Sequence, residues 1–237
     1  MWNKIQRIYV GSNLVRPPQW SLSYSYNFTT SSWANMQSDW WLVDWDYSSI
    51  NVSSSWLNAN SSTDRSIFFS RPFSLPSWTR TIKINCKSQS PVGSWYGGHY
   101  FGIRQTRTYS WSGSSYEEVS DWISQYTQTD NSNSGYNNSW VSNSGIWRIV
   151  EWDRKTAWSS SDTLDVEVYY DLVNKTGYGK ATNSSSTVLY NTSFTLTDAW
   201  VATVQWLNQT MYLVCKFRNW TNKNKYFKSI SYEITWQ

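Results

Sequence analysis

Between Trp20 and Trp236, apolar and polar residues alternate in short runs. Residues 20–28 set the type, with Leu22, Tyr24, Tyr26 and Phe28 alternating with Ser21, Ser23, Ser25 and Asn27. Successive side chains of an extended chain point to opposite faces, so a period of two predicts a strand with one face buried and one wet. Runs of similar texture follow at residues 65–70, 80–87, 99–106, 147–153, 164–172, 186–194, 200–207, 211–217 and 230–236, with Ser, Asn and Gly turns between them. Short strands separated by turn chemistry predict an all-β fold, an antiparallel β-sandwich of the jelly-roll kind rather than β-α-β units.

One stretch departs from the alternation. Ser115 ahead of Tyr116, Glu117 and Glu118 reads as a helix start, and Val119, Trp122, Ile123 and Tyr126 then recur at helical spacing. The pattern predicts one short helix there, followed by a long polar loop over residues 128–145. From residue 164 to 217 the text predicts an antiparallel meander, in which residues 200–207 form a strand. The strands at residues 21–28 and 229–236 share one aromatic alternation and are expected to pair. Residues 1–18 read as a separate N-terminal arm, a short strand that turns at Gly11-Ser12-Asn13 and leaves through Arg16-Pro17-Pro18. The expected organisation is an arm over 1–18 and one β-sandwich domain over 19–237.

Composition makes this core an aromatic one. Hydrophobic residues are 39% of the 237, and 19 Trp, 17 Tyr and 8 Phe make up nearly half of them. Each buried aromatic removes about 150–250 Å² from water, so a few per strand hold a sheet that is poor in leucine. Charged residues are 15%, against roughly 25% in an ordinary soluble protein, which leaves a surface of hydroxyls and amides. The net charge of +4 is scattered, with one loose cluster at Lys216, Arg218, Lys223, Lys225 and Lys228. That concentration is too low for a nucleic-acid partner. Cys86 and Cys215 form no metal motif, and both a disulfide and two buried thiols fit their strand-like settings. The first residues lack an apolar signal core, and no run approaches the ~20 residues of a membrane span. Synthesis in a host cytoplasm, without signal peptide or membrane span, is the expectation.

The paired texts SLSYSYNF (21–28) and SISYEITW (229–236), with VEVYYDLVNKTGYGKA (166–181), WVATVQW (200–206) and MYLVCKF (211–217), resemble the concanavalin A-like jelly rolls of laminin G domains, legume lectins and glucanases. The resemblance covers about residues 20–237. It implies a sandwich whose first and last strands lie together and whose curved sheet carries a sugar-binding face. The opening KIQRIYVGSNLVRP (4–17) resembles the N-terminal segments of bacteriophage virion and tail-fibre proteins. Together these resemblances imply a virion protein for structure or host attachment, docked on other virion proteins through residues 1–18.

Glucanases of the resembled class carry Glu-x-Asp-x-x-Glu on one strand. Here Glu151-Trp152-Asp153 is followed by Arg154, Lys155 and Thr156, so one member of the acid pair is missing. Asp165, Glu167 and Asp171 form another alternating set, of the kind usually solvated or paired with lysine. His99 is the single histidine and cannot by itself supply a triad or a multi-histidine metal centre. Asp44 and Asp46 stand two apart and leave calcium as the one cofactor the pattern admits. A non-enzymatic role is expected.

Binding fits better. A sugar presents a flat apolar face and a rim of hydroxyls, matched by an aromatic ring with amides or hydroxyls beside it. Trp45, Trp95, Tyr96, Trp111, Tyr136, Trp140 and Trp158 stand in loop-like text and are the candidate carbohydrate-binding residues. Each serves equally well as core filling in a leucine-poor sandwich. The expected function is a phage virion-associated protein whose lectin-like domain binds host-surface carbohydrate. One alternative is a purely structural or decoration protein that buries its aromatics in the contacts of a homo-oligomer. The other is a glycoside hydrolase relic using Glu151 and Asp153, or Asp165 and Glu167.

Overall fold

Period-two text becomes sheet where one face can be covered, as it does over most of the described residues. The structure is a computed structural model that describes residues 8–10, 13–15, 20–30, 32–44, 50–53, 56–59, 67–89, 97–104, 121–129, 135–140, 154–155, 163–206, 210–218 and 226–236. In chain order the strands are β1 (Ile8–Val10), β2 (Asn13–Val15), β3 (Trp20–Asn27), β4 (Leu42–Asp44), β5 (Ile50–Ser53), β6 (Trp56–Ala59), β7 (Ile67–Ser74) and β8 (Thr79–Gln89). They continue as β9 (Gly97–Arg104), β10 (Asp121–Thr129), β11 (Gly135–Trp140), β12 (Arg154–Lys155), β13 (Leu164–Asp171), β14 (Thr176–Thr182), β15 (Val188–Thr195), β16 (Thr210–Arg218) and β17 (Tyr226–Trp236). Helix α1 (Trp33–Ser38) follows β3, and α2 (Asp198–Trp206) joins β15 to β16.

Strands β3 to β17 form two antiparallel sheets. A seven-stranded sheet runs β12-β11-β10-β9-β16-β7-β4, and an eight-stranded one runs β15-β14-β13-β8-β17-β6-β5, with β3 also paired to β17. The first and last strands of the sandwich pair as expected, from Trp20↔Trp236 to Asn27↔Ser229. Strands β13, β14 and β15 make the first part of the expected meander, but β16 leaves it and pairs with β7 and β9 in the seven-stranded sheet. Strands β1 and β2 form a hairpin that pairs with no other strand among the described residues.

Alternation sets the core. On β13, Leu164, Val166, Val168 and Tyr170 are buried, while Asp165, Glu167, Tyr169 and Asp171 lie on the half-covered outer face. On β8, Ile82, Ile84 and Cys86 point inward with Ile230, Tyr232 and Ile234 of β17. They meet Phe69, Phe73, Phe101, Ile103, Leu213 and Cys215 from the seven-stranded sheet in one core. Phe73 and Tyr232 stack across the layers with ring centroids 4.7 Å apart. Of the two states open to the cysteines, the structure has free thiols, both buried.

An aromatic and polar clasp closes one side of the sandwich. The Tyr24 hydroxyl on β3 donates to Asp39 Oδ2 and accepts from the buried Trp41 Nε1 at 2.9 Å. Arg71 of β7 lies over the Tyr24 ring, 3.9 Å from its centroid, and donates to the Asp39 carbonyl at 3.0 Å.

Three expectations fail. Residues 121–129 are strand β10, not the end of a helix that starts at Ser115, and residues 115–120 lie outside the described residues. The spacing of Trp122, Ile123 and Tyr126 fits a helix, yet the segment carries Trp, Ile, Tyr and two Thr, all strand-favouring, and pairs with strands on both sides. Sheet pairing overrides a local period in such text. The long loop over 128–145 contains strand β11, paired with both β10 and β12. Residues 200–207 are not a strand: α2 covers 198–206. Asp198 occupies the first turn, where negative charge is favoured, and Val201 and Val204, three apart, are buried.

Candidate functional site

The turn from β7 to β8 builds an unusual corner. It reads Leu75-Pro76-Ser77-Trp78, and Trp78 has φ of 63°. A bulky residue in the left-handed region is an outlier that costs of order 1–3 kcal/mol and persists only when its surroundings hold it. Here the Thr79 hydroxyl bonds to the Pro76 carbonyl at 2.6 Å, and the Trp78 N–H donates to the Gln205 carbonyl of α2 at 2.8 Å. Thr79 itself is fully buried at the start of β8.

The strain aims the Trp78 indole at the last residue of α2. Trp78 and Trp206 lie with ring centroids 4.7 Å apart and planes inclined by 59°. Both remain open, 41% and 66% exposed. Val201 and Val204 anchor α2 in the core, and the Lys175 ammonium lies 2.8 Å from Asp198 at the helix start. A third open indole, Trp20 at 57%, begins β3 at the same end of the eight-stranded sheet, because Trp20 pairs with Trp236 and Trp236 with Thr79.

Indoles fixed in this way offer rigid apolar faces that water does not bind well. A flat ligand with a hydroxyl rim can stack on them, and the loss of side-chain freedom is small because two χ angles suffice to fix an indole. Trp40 is also left-handed, with φ of 64°, and 70% exposed, but it stands beside the Tyr24–Asp39 clasp.

Among the residues singled out in the sequence, Trp45, Trp95, Tyr96, Trp111, Trp158, Asp46, Glu151 and Asp153 lie outside the described residues. Tyr136 and Trp140 have backbone positions on β11, four residues apart, opposite Gln128 and Ser124 of β10. Asp44 ends β4, and His99 lies on β9 opposite Thr127 and Phe217. Asp165 and Glu167 do share the outer face of β13, where each is engaged by a lysine: Lys87 at 3.2 Å and Lys83 at 2.7 Å. Among the described residues no group of three or more His, Cys, Asp or Glu gathers as a metal site would need.

No protein-family model matches the chain, and neither does any curated protein. Solved structures do. The CBM2 module of the evolved Dit of Lactobacillus casei BL23 phage J-1 is 9% identical, with TM-score 0.64, over 92% of this chain and 98% of that one. Lectin II from Ulex europaeus is 13% identical, with TM-score 0.60, over 90% and 98%. The legume lectin-like domain from Entamoeba histolytica is 7% identical, with TM-score 0.61, over 88% and 95%. The fold is the legume-lectin-like, concanavalin A-like β-sandwich.

Within this lectin-like sandwich the tryptophan corner sits at one end, between the β7–β8 turn and α2. The sequence carried a signal for it that the alternation obscured. Trp78 closes a Pro-Ser turn, the place where a large side chain is least able to turn inward. Trp206 is hidden by its own run, since the text from Trp200 to Trp206 also reads as a strand, in which Trp200 and Trp206 would share one face.

Proposed function

We propose that the protein is a phage virion-associated carbohydrate-binding protein, without catalytic activity, that stacks a neutral saccharide on Trp78 and Trp206. The observation that carries this reading is the pair of open indoles held against each other by a left-handed turn and a helix end. Support comes from the fold, shared with lectins and with a phage carbohydrate-binding module. A sugar ring gains by covering apolar indole faces. Of the carboxylates considered for hydrolysis, Asp165 and Glu167 are each paired with a lysine on the outer face of β13. Residues 1–18 are the attachment arm in this reading, and residues 19–237 the domain turned toward the host surface.

The test is a titration of the full chain with neutral bacterial surface polysaccharides, followed by tryptophan fluorescence. A saturable change that shrinks in Trp206→Ala supports the reading. An identical response in wild type and Trp206→Ala removes the corner as the site.

A further inference from the structure

A second recess lies on the outer face of the eight-stranded sheet, away from the tryptophan corner. Strands β3 and β17 run side by side, with Ser25 opposite Ser231 and Ser23 opposite Glu233. Strand β8 continues the same rows with Asn85 beside Ser231 and Lys83 beside Glu233. Serine ends one atom beyond Cβ, whereas Lys83, Asn85 and Glu233 reach further from the sheet. The difference leaves a hollow of about 420 Å³ whose lining includes Ser23, Ser25, Ser231, Lys83, Asn85 and Glu233, together with Tyr24 and Tyr232. Small-molecule sites commonly occupy about 300–1,000 Å³.

The chemistry of the face narrows the occupant. The Lys83 ammonium is 2.7 Å from Glu167 Oε2, and the Tyr178 hydroxyl donates to Glu167 Oε1 at 2.6 Å. Lys87 pairs with Asp165 at 3.2 Å. On these outer rows, among the described residues, Lys83, Lys87, Lys180 and Lys228 are matched by Asp165, Glu167, Asp171 and Glu233, so the described rows carry no net charge to concentrate a polyanion. The outward positions of β3, β8, β13, β14 and β17 among the described residues carry Ser, Thr, Asn, Lys, Asp, Glu and Tyr, with no aliphatic side chain. A protein partner would find little there to bury, since interface cores are apolar and short of charge. A polyol would find donors and acceptors in close array. Tyr169 and Tyr178, stacked at 5.3 Å, extend the Glu233–Lys83 row with two aromatic rings.

We propose that this recess is a second saccharide subsite, which takes a neutral hexose unit between the serine floor and the Asn85, Lys83 and Glu233 rim. The proposal rests on the reading of the protein as a carbohydrate binder, but not on the tryptophan corner. Glu233 accepts from adjacent sugar hydroxyls, Asn85 and Lys83 donate to ring substituents, and the serine hydroxyls do either. With two subsites on different parts of one domain, a long chain of sugars gains avidity from contacts that are individually weak.

The experiment is chemical-shift mapping of the isotope-labelled full chain with neutral tetrasaccharides of glucose, galactose and mannose, and with a galacturonate tetrasaccharide as charged probe. Backbone amides of Ser25, Asn85, Ser231 and Glu233 report the recess, and the indoles of Trp78 and Trp206 report the corner. The expected result is a saturable shift of the recess amides with at least one neutral probe. Ser25→Tyr, which fills the hollow, and the isosteric Glu233→Gln should each weaken it by about tenfold, as loss of one or two hydrogen bonds would. Indole shifts without recess shifts would overturn this proposal and leave the corner standing; recess shifts without indole shifts would do the reverse. Recess shifts with galacturonate alone, or equal in Ser25→Tyr and Glu233→Gln, would also overturn it.

Discussion

The Tyr24 hydroxyl donates to Asp39 and so ties β3, in the eight-stranded sheet, to the segment that enters β4 of the seven-stranded sheet. Burial, reinforced by the Asp39 acceptor, pushes the Tyr24 phenol well above the usual tyrosine range, so it remains a donor. Its oxygen is also the acceptor for the indole N–H of Trp41, which is almost fully buried. Tyr24→Phe leaves that donor unsatisfied, at a cost of about 1–3 kcal/mol. Urea denaturation should show a lower midpoint with an unchanged slope; an unshifted midpoint would mean that the clasp adds nothing to stability.

Acid should act through Glu167. Burial alone would raise its carboxyl, but hydrogen bonds from Lys83, Tyr178 and Asn85, together with the Lys83 charge, outweigh that and hold it below the ordinary value of 4.5. A depressed folded-state value contributes stability that is present above about pH 4.5 and is lost as pH falls through the folded value. Glu167→Gln should flatten the stability profile in that acid window. The bonded phenol responds in the opposite direction. Burial and the Glu167 acceptor push Tyr178 from 10.0 up to about 12, so its contribution is complete below pH 10.0 and is lost as pH rises through about 12. The wild-type minus Tyr178→Phe difference in tyrosinate absorbance should therefore titrate late; a midpoint near 10.0 would contradict the bond.

Gly177 on β14 lies beneath the Phe194 ring of β15. A Cβ there would sit 2.3 Å from Phe194 Cε2 and 2.6 Å from the Tyr169 carbonyl oxygen. The ring has some freedom, but the carbonyl belongs to the β13 backbone and has little. Gly177→Ala should destabilise the fold by about 1–3 kcal/mol through overpacking, read as a lower thermal midpoint. A midpoint equal to wild type would show that the meander yields at this point.

Burial pushes both the Cys86 and Cys215 thiols well above their usual range. The thiolate is the reactive form, so both should resist alkylation in the folded protein and react promptly in denaturant. Rapid labelling of the native protein at neutral pH would place at least one thiol at the surface.

The legibility of the chain followed its periods. Strands β3, β13 and β17 could be read because Leu22, Tyr24 and Tyr26, Leu164 to Tyr170, and Ile230 to Ile234 each keep one phase, with hydroxyl or charged residues in the other. Their pairing followed from matching texture. Strand β10 and helix α2 were read the wrong way round because each carries both periods in few residues. Ile123 and Tyr126 fall at helical spacing within a strand, and Val201, Thr203 and Gln205 alternate within a helix. In such text the outcome depends on which strands are free to pair, and that is a property of the whole sheet. The Pro-Ser turn before Trp78 is a local signal, but the contacts between residues 78 and 205–206 that complete the tryptophan corner join distant parts of the sequence. The serine recess depends on the registers of β3, β17 and β8, which only the sheet reveals.

The most direct measurement is binding of the full chain to an array of neutral bacterial polysaccharides, alongside Trp206→Ala with its fold checked by circular dichroism. Trp206 is two-thirds exposed, so its removal should leave stability nearly unchanged. The account predicts saturable binding by the wild type to at least one neutral polysaccharide, weakened about tenfold or more in the folded variant, which corresponds to about 1.4 kcal/mol. A well-folded wild type that binds no polysaccharide on the array would contradict the account and assign the open tryptophans to contacts with other protein subunits.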